Sequence, residues 1–176
     1  VGTLNDRAIK LSKEGMLGKA IEIWVGLLDT TEAEYAYRWV FHKNVGRNFQ
    51  KLGKLPRAWW HLAQAKKLAP EAGAAKLGKR IAKLQKKLTE AGYRRITVSA
   101  NRLGAFMPID DELANWYPLP GIWWFKPGYA QFKVRSADGL MATQSETLAV
   151  DTDQIRAKMP APVAMGRLVV VASPAN

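Results

Sequence analysis

Apolar residues fall at Leu4, Ala8 and Leu11, and then at Ala20, Ile21, Trp24, Leu27 and Leu28, with Gly15 between the two sets. Steps of three and four place each set on one face of a helix, and the glycine interrupts the run, so the pattern predicts a helix hairpin. The pattern returns 38 residues later: Val45, Gly46 and Phe49 precede Gly53, and Ala58, Leu62 and Ala65 follow it, ending at Pro70. Ala8 and Gly46 are small where the helices of a pair would cross, and Ala20 and Ala58 are small where the second helix would meet the first. Such residues let helix axes approach closely. A further amphipathic helix is predicted from Glu71, with Leu77, Ile81, Leu84 and Leu88 on one stripe.

Near residue 93 the period changes. Ala91-Gly92-Tyr93 is a helix-stop signal, and short alternating segments rich in β-branched and aromatic residues follow it. Strands are predicted at 95–100, 105–109, 122–125, 130–135 and 142–150, with breaks at 103–104, 118–121, 127–128 and 138–139. The expected fold class is α+β in two domains: a helical repeat domain over 1–92 and a small all-β domain over 93–150. The remaining 151–176 is read as a tail, with one or two helical turns over 151–158, a Pro- and Ala-containing linker over 159–166 and a strand at 168–172.

The second helix pair, with Gly46, Phe49, Gly53, Ala58, Leu62, Ala65 and Pro70, resembles the tetratricopeptide (TPR) repeat. The 38-residue spacing exceeds that family's period of about 34 and places an insertion at 32–37. The second half resembles the PEGA domain, a small β-sandwich module often attached to TPR arrays in bacterial envelope proteins. That resemblance rests on Ile96-Thr97-Val98, Gly104-Ala105, Ile109-Asp110, Pro118 and Phe125-Lys126-Pro127-Gly128 in this order. Gly166 to Val171 looks like the opening of a second such unit. Together with a start at Val1 rather than Met, this leads us to expect a processed chain or a piece of a longer one. The resemblances imply a protein-interaction scaffold in the periplasm or cell envelope, with the cytoplasm as the alternative.

Charge sharpens this picture. The net charge is +12, and residues 1–95 hold 20 Lys and Arg against 8 Asp and Glu, whereas residues 96–176 hold 7 against 7. Within 35–95 there are 16 basic residues and only two acidic ones, Glu71 and Glu90, so this stretch projects a positive field that favours an anionic partner. Lys43, Arg47 and Lys51 recur at steps of four and share a helix face. In TPR folds that helix lines the concave groove. With Asn44, Gln50 and Asn5, the expected groove offers charge-assisted hydrogen bonds to an acidic segment or an exposed carboxylate. Lys76, Lys79, Arg80, Lys83, Lys86 and Lys87 form a second basic surface on the capping helix. The bland alternative is a solvated helix face.

Other chemistry is sparse. There is no cysteine, and therefore no disulfide or thiolate chemistry. The two histidines, His42 and His61, lack neighbouring ligands in metal spacing and are read as structural or solvent-facing. Asp110-Asp111-Glu112 and Asp151-Thr152-Asp153 lack the length and glycine placement of a calcium loop, and are read as turn and cap acids. No phosphate loop, nucleophile elbow or paired-carboxylate motif occurs, so neither an enzyme nor a cofactor is expected. Trp59-Trp60 and Trp123-Trp124 are candidate interface aromatics, and at least one ring of each pair is expected to face outward.

The leading expectation is a non-catalytic scaffold or accessory subunit of a hetero-complex, binding another protein through its basic helical surface. The alternative is a nucleic-acid binder using 35–95, prompted by a pI of about 10.0. An anionic membrane surface is a third possible partner.

Overall fold

In the computed structural model, which describes residues 1–109 and 115–160, five helices are followed by two β sheets. The helices are α1 (Gly2–Lys13), α2 (Leu17–Thr30), α3 (Arg38–Lys51), α4 (Leu55–Leu68) and α5 (Glu71–Glu90). The apolar faces read from the sequence form their common interior: Ala8, Ala20, Ile21, Trp24, Val45, Phe49, Ala58, Leu62, Leu84 and Leu88 are all buried there.

The turn after α1 and the turn after α3 are built alike. Gly15 has φ +84° and Gly53 φ +73°, and in each turn the amide that follows reaches back to a carbonyl five residues earlier, Met16 to Leu11 and Lys54 to Phe49. Only glycine adopts this left-handed backbone without steric cost, so the two glycines place their hairpins equivalently. At the α3–α4 crossing, a Cβ added to Gly46 would lie 2.8 Å from Leu62 Cγ and 3.1 Å from the Ala58 carbonyl oxygen. Close approach of the two helices therefore requires the missing side chain.

The strands are β1 (Arg94–Ala100), β2 (Gly104–Pro108), β3 (Tyr117–Leu119), β4 (Gly121–Phe125), β5 (Gly128–Ser136), β6 (Met141–Leu148) and β7 (Gln154–Ala157). One sheet has the order β4-β1-β7 and the other β3-β2-β5-β6. All neighbours are antiparallel except β1 and β7, which run parallel. Alternate residues fill the space between the sheets: Ile96, Val98, Trp123, Phe125 and Ile155 from the first, and Phe106, Tyr117, Phe132 and Val134 from the second. The result is a sandwich-like pair of layers.

Two sequence expectations are corrected here. The segment 151–158 contains strand β7 rather than helical turns, because Ile155 and Ala157 alternate into the core beside β1 while their neighbours face out. The break expected at 118–121 overlaps β3, a three-residue edge strand in which Pro118 is exposed between buried Tyr117 and Leu119. Proline fits there because an edge strand leaves one row of amides unpaired. The strand expected at 168–172 and the acids at 110–112 lie outside the described residues.

The helices and sheets share a seam. Trp59 on α4 meets Trp124 on β4 at 5.9 Å between ring centroids, and Trp60 meets Tyr117 on β3 at 4.9 Å. β3 and β4 are the edge strands on one side of the two sheets, so α4 covers those edges. The expectation that one ring of each tryptophan pair faces outward is thus corrected. Trp123 and Trp124 are both buried, the first between the sheets and the second against the helices, and Trp60 is half-buried against both interiors. Strand alternation sends neighbouring side chains to opposite faces, and here both faces of β4 are covered. Among the described residues, no helix is long and apolar enough to cross a membrane.

Candidate anion-binding groove

Helix α5 carries its apolar residues at 77, 81, 84 and 88 and its cations one position earlier, at Lys76, Arg80, Lys83 and Lys87. A one-residue offset turns the second stripe about 100° round the helix from the first. With the apolar stripe buried, the cationic stripe comes to the rim of the packed face and lines a groove beside α3.

The groove has two connected parts. One is a hollow of about 350 Å³ with an apolar floor of Trp39, Ala72, Gly73 and Leu77, ringed by Lys43, Arg47, Lys76 and Arg80. The other, of about 450 Å³, is lined by Gln50, Lys76, Lys79, Arg80, Lys83 and Lys87. Arg80 belongs to both. Its Nε and Nη2 donate to Gln50 Oε1 at 2.9 and 2.7 Å, which fixes the guanidinium across the groove. Lys43 Nζ lies 4.6 Å from the centre of the Trp39 ring, a cation–π contact.

These cations are crowded and lack counter-charges. Burial, and then the Arg47 guanidinium, lower the pKa of Lys43, and the same two causes in the same order lower that of Arg80. Among the described residues, the ion pairs Lys10–Glu14 and Lys86–Glu90 lie on exposed helix faces, and no carboxylate pairs with Lys43, Arg47, Lys76 or Arg80. Like charges held this close repel one another, and an anion seated between them relieves both the repulsion and the lost hydration.

The structure brings together most of the basic residues singled out from the sequence, and gives others different roles. Lys43, Arg47, Gln50, Lys76, Lys79, Arg80, Lys83 and Lys87 line the groove, joining two surfaces that the sequence presents as separate. Asn5 is engaged elsewhere: its Oδ1 accepts from Trp24 Nε1 at 2.9 Å, tying α1 to α2. Asn44 is half-buried and Lys51 exposed, and neither lines the groove. Lys86 points outward beside Glu90, at 3.8 Å. Sequence reasoning missed Trp39, Ala72 and Gly73 of the floor, and placed Leu77 only on the buried stripe. The available signal was Trp39 standing four residues before Lys43, which puts both on one helix face.

The histidines sit elsewhere, inside the helical layer. His42 Nδ1 and His61 Nδ1 are 3.1 Å apart, and both rings are buried. Burial and then Arg38 bring His42 down to about 4, and burial, His42 and Arg57 hold His61 well below its ordinary value. Both are therefore neutral at neutral pH, one donating to the other. Among the described residues, no group of three or more potential ligands could hold a metal ion.

No protein-family model, no curated protein and no solved structure matches the chain. The functional reading therefore rests on the groove itself and on the motifs quoted above.

Proposed function

We propose that this chain is a non-catalytic interaction module that holds an anionic protein segment in the α3–α5 groove. The observation that carries the reading is the set of unpaired, mutually repelling cations around an apolar floor. The helix hairpins with matching glycine turns, followed by a two-sheet β unit, support TPR-like repeats joined to a PEGA-like module, and through that resemblance a role as a subunit of an envelope-associated hetero-complex. An acidic partner with apolar side chains suits the floor and ring better than a bare polyanion does. Nucleic acid and anionic lipid are competing occupants of the same field.

The test is fluorescence polarisation with a labelled acidic peptide containing leucine, in competition with single-stranded DNA and with vesicles containing anionic lipid. The Lys43→Glu/Arg47→Glu variant should bind the peptide roughly tenfold or more weakly, since one charge-assisted contact contributes ~1.5 kcal/mol or more. The control Lys67→Glu/Lys86→Glu, which leaves the groove intact, should bind close to normally. Equal losses in the two variants would defeat the groove reading. DNA that binds more tightly than the peptide, with a steep salt dependence, would transfer the site to nucleic acid. Tighter binding to the vesicles would transfer it to the membrane surface.

A further inference from the structure

The seam between helices and sheets does not close completely. Beside the Trp60–Tyr117 contact, a cleft of about 570 Å³ remains between α2, α3 and α4 on one wall and β3, β5 and the residues just before β3 on the other. That volume is in the range of small-molecule sites, and a boundary between two packed layers is where such sites commonly occur.

Three features of the lining point to one class of ligand. The first is flat apolar surface: Trp60 and Trp116 both line the cleft, and the guanidinium of Arg135 lies 4.6 Å from the centre of the Trp116 ring. The second is unmet hydrogen bonding. Asn115 Nδ2 and His61 Nε2, on residues of opposite walls, are buried and have no hydrogen-bond partner among the described residues. Buried polar atoms nearly always have partners, either protein or water, so these two beside one cleft leave hydrogen bonds for a water or a bound ligand to make. The third is charge. Among the described residues, Arg38 and Arg135 line the cleft with one acid, Asp29. Arg38 is committed to the end of α2, where its Nη1 donates to the Leu28 and Thr31 carbonyls at 2.7 and 2.6 Å. The Arg135 side chain is exposed and makes no hydrogen bond or ion pair among the described residues.

We propose that this cleft binds a small organic anion with a flat unsaturated body, the ring lying against Trp60 and Trp116 and the carboxylate meeting Arg135 and the Asn115 amide. A cation would face two arginines, and a purely apolar molecule would leave the buried amide unpaired. The site is separate from the α3–α5 groove.

Calorimetric titration of the full chain with indole-3-acetate and its neutral counterpart indole-3-acetamide tests the assignment. Saturable binding of the acetate is expected, with the acetamide about tenfold weaker, corresponding to one charge-assisted contact. Arg135→Ala and Asn115→Leu should each weaken the acetate by a similar factor while leaving the circular dichroism spectrum unchanged. Lys43→Glu/Arg47→Glu should bind it as the unaltered chain does. Four results would each overturn the proposal: no saturable binding at millimolar ligand, equal affinity for acetate and acetamide, undiminished binding by Arg135→Ala or Asn115→Leu, or a loss that follows the groove variant.

Discussion

Single side chains make opposite demands at positions that look alike in the sequence. Gly26 and Gly46 are both mid-helix glycines, but a Cβ at Gly26 meets nothing within 4 Å, whereas one at Gly46 meets Leu62 Cγ at 2.8 Å. Gly26→Ala should therefore raise stability by up to ~1 kcal/mol through helix propensity, and Gly46→Ala should lower it by ~1–3 kcal/mol through overpacking. Urea denaturation of the two variants checks both signs. The buried histidine pair makes a further residue-level prediction. Both folded-state pKa values lie below the ordinary 6.5, that of His42 at about 4, so the unfolded chain binds more protons between those values. Stability is then fully present above pH ~6.5 and is lost as pH falls toward about 4. Between pH 7.5 and pH 5 we expect a loss of ~1–2 kcal/mol from His42. His42→Gln should flatten that dependence in urea titrations at the two pH values. Their spacing in the sequence led to a reading as structural or solvent-facing, but could not show that they face each other.

At the scale of elements, legibility followed periodicity. All five helices were readable because each repeats its apolar residues over several turns, and α5 is the clearest, with Leu77, Ile81, Leu84 and Leu88 buried in register. Leu84→Ala should cost ~2–4 kcal/mol in chemical denaturation, because it empties a fully enclosed site. β1, β2, β4, β5 and β6 were legible to within one or two residues at most ends. β3 and β7, of three and four residues, were not. Segments that short carry at most two inward side chains, too few to establish a period, and their strand character comes from the neighbour each pairs with. Gln50 shows the same limit on the site. Read as a partner contact, it instead orients Arg80, so Gln50→Ala should weaken acidic-peptide binding by roughly threefold and leave the urea midpoint nearly unchanged.

For the whole molecule, the consequence of the seam is cooperativity. Trp59 against Trp124 and Trp60 against Tyr117 join the helical interior to the sheet interior. Unfolding followed by far-ultraviolet circular dichroism and by tryptophan fluorescence should give coincident transitions, and Trp124→Ala should lower the shared midpoint by the equivalent of ~3–5 kcal/mol. Separated transitions would show that the seam does not couple the two parts. The sequence by itself determined the helix faces, the glycine turns and the concentration of positive charge in 35–95, because each is a property of neighbouring residues. Only the tertiary structure decided that the cations of α3 and α5 share one groove, that the tryptophans face inward and that 154–157 joins a sheet. Those outcomes depend on which distant surfaces pack together, and local periodicity carries no information about which distant surface will cover a given face.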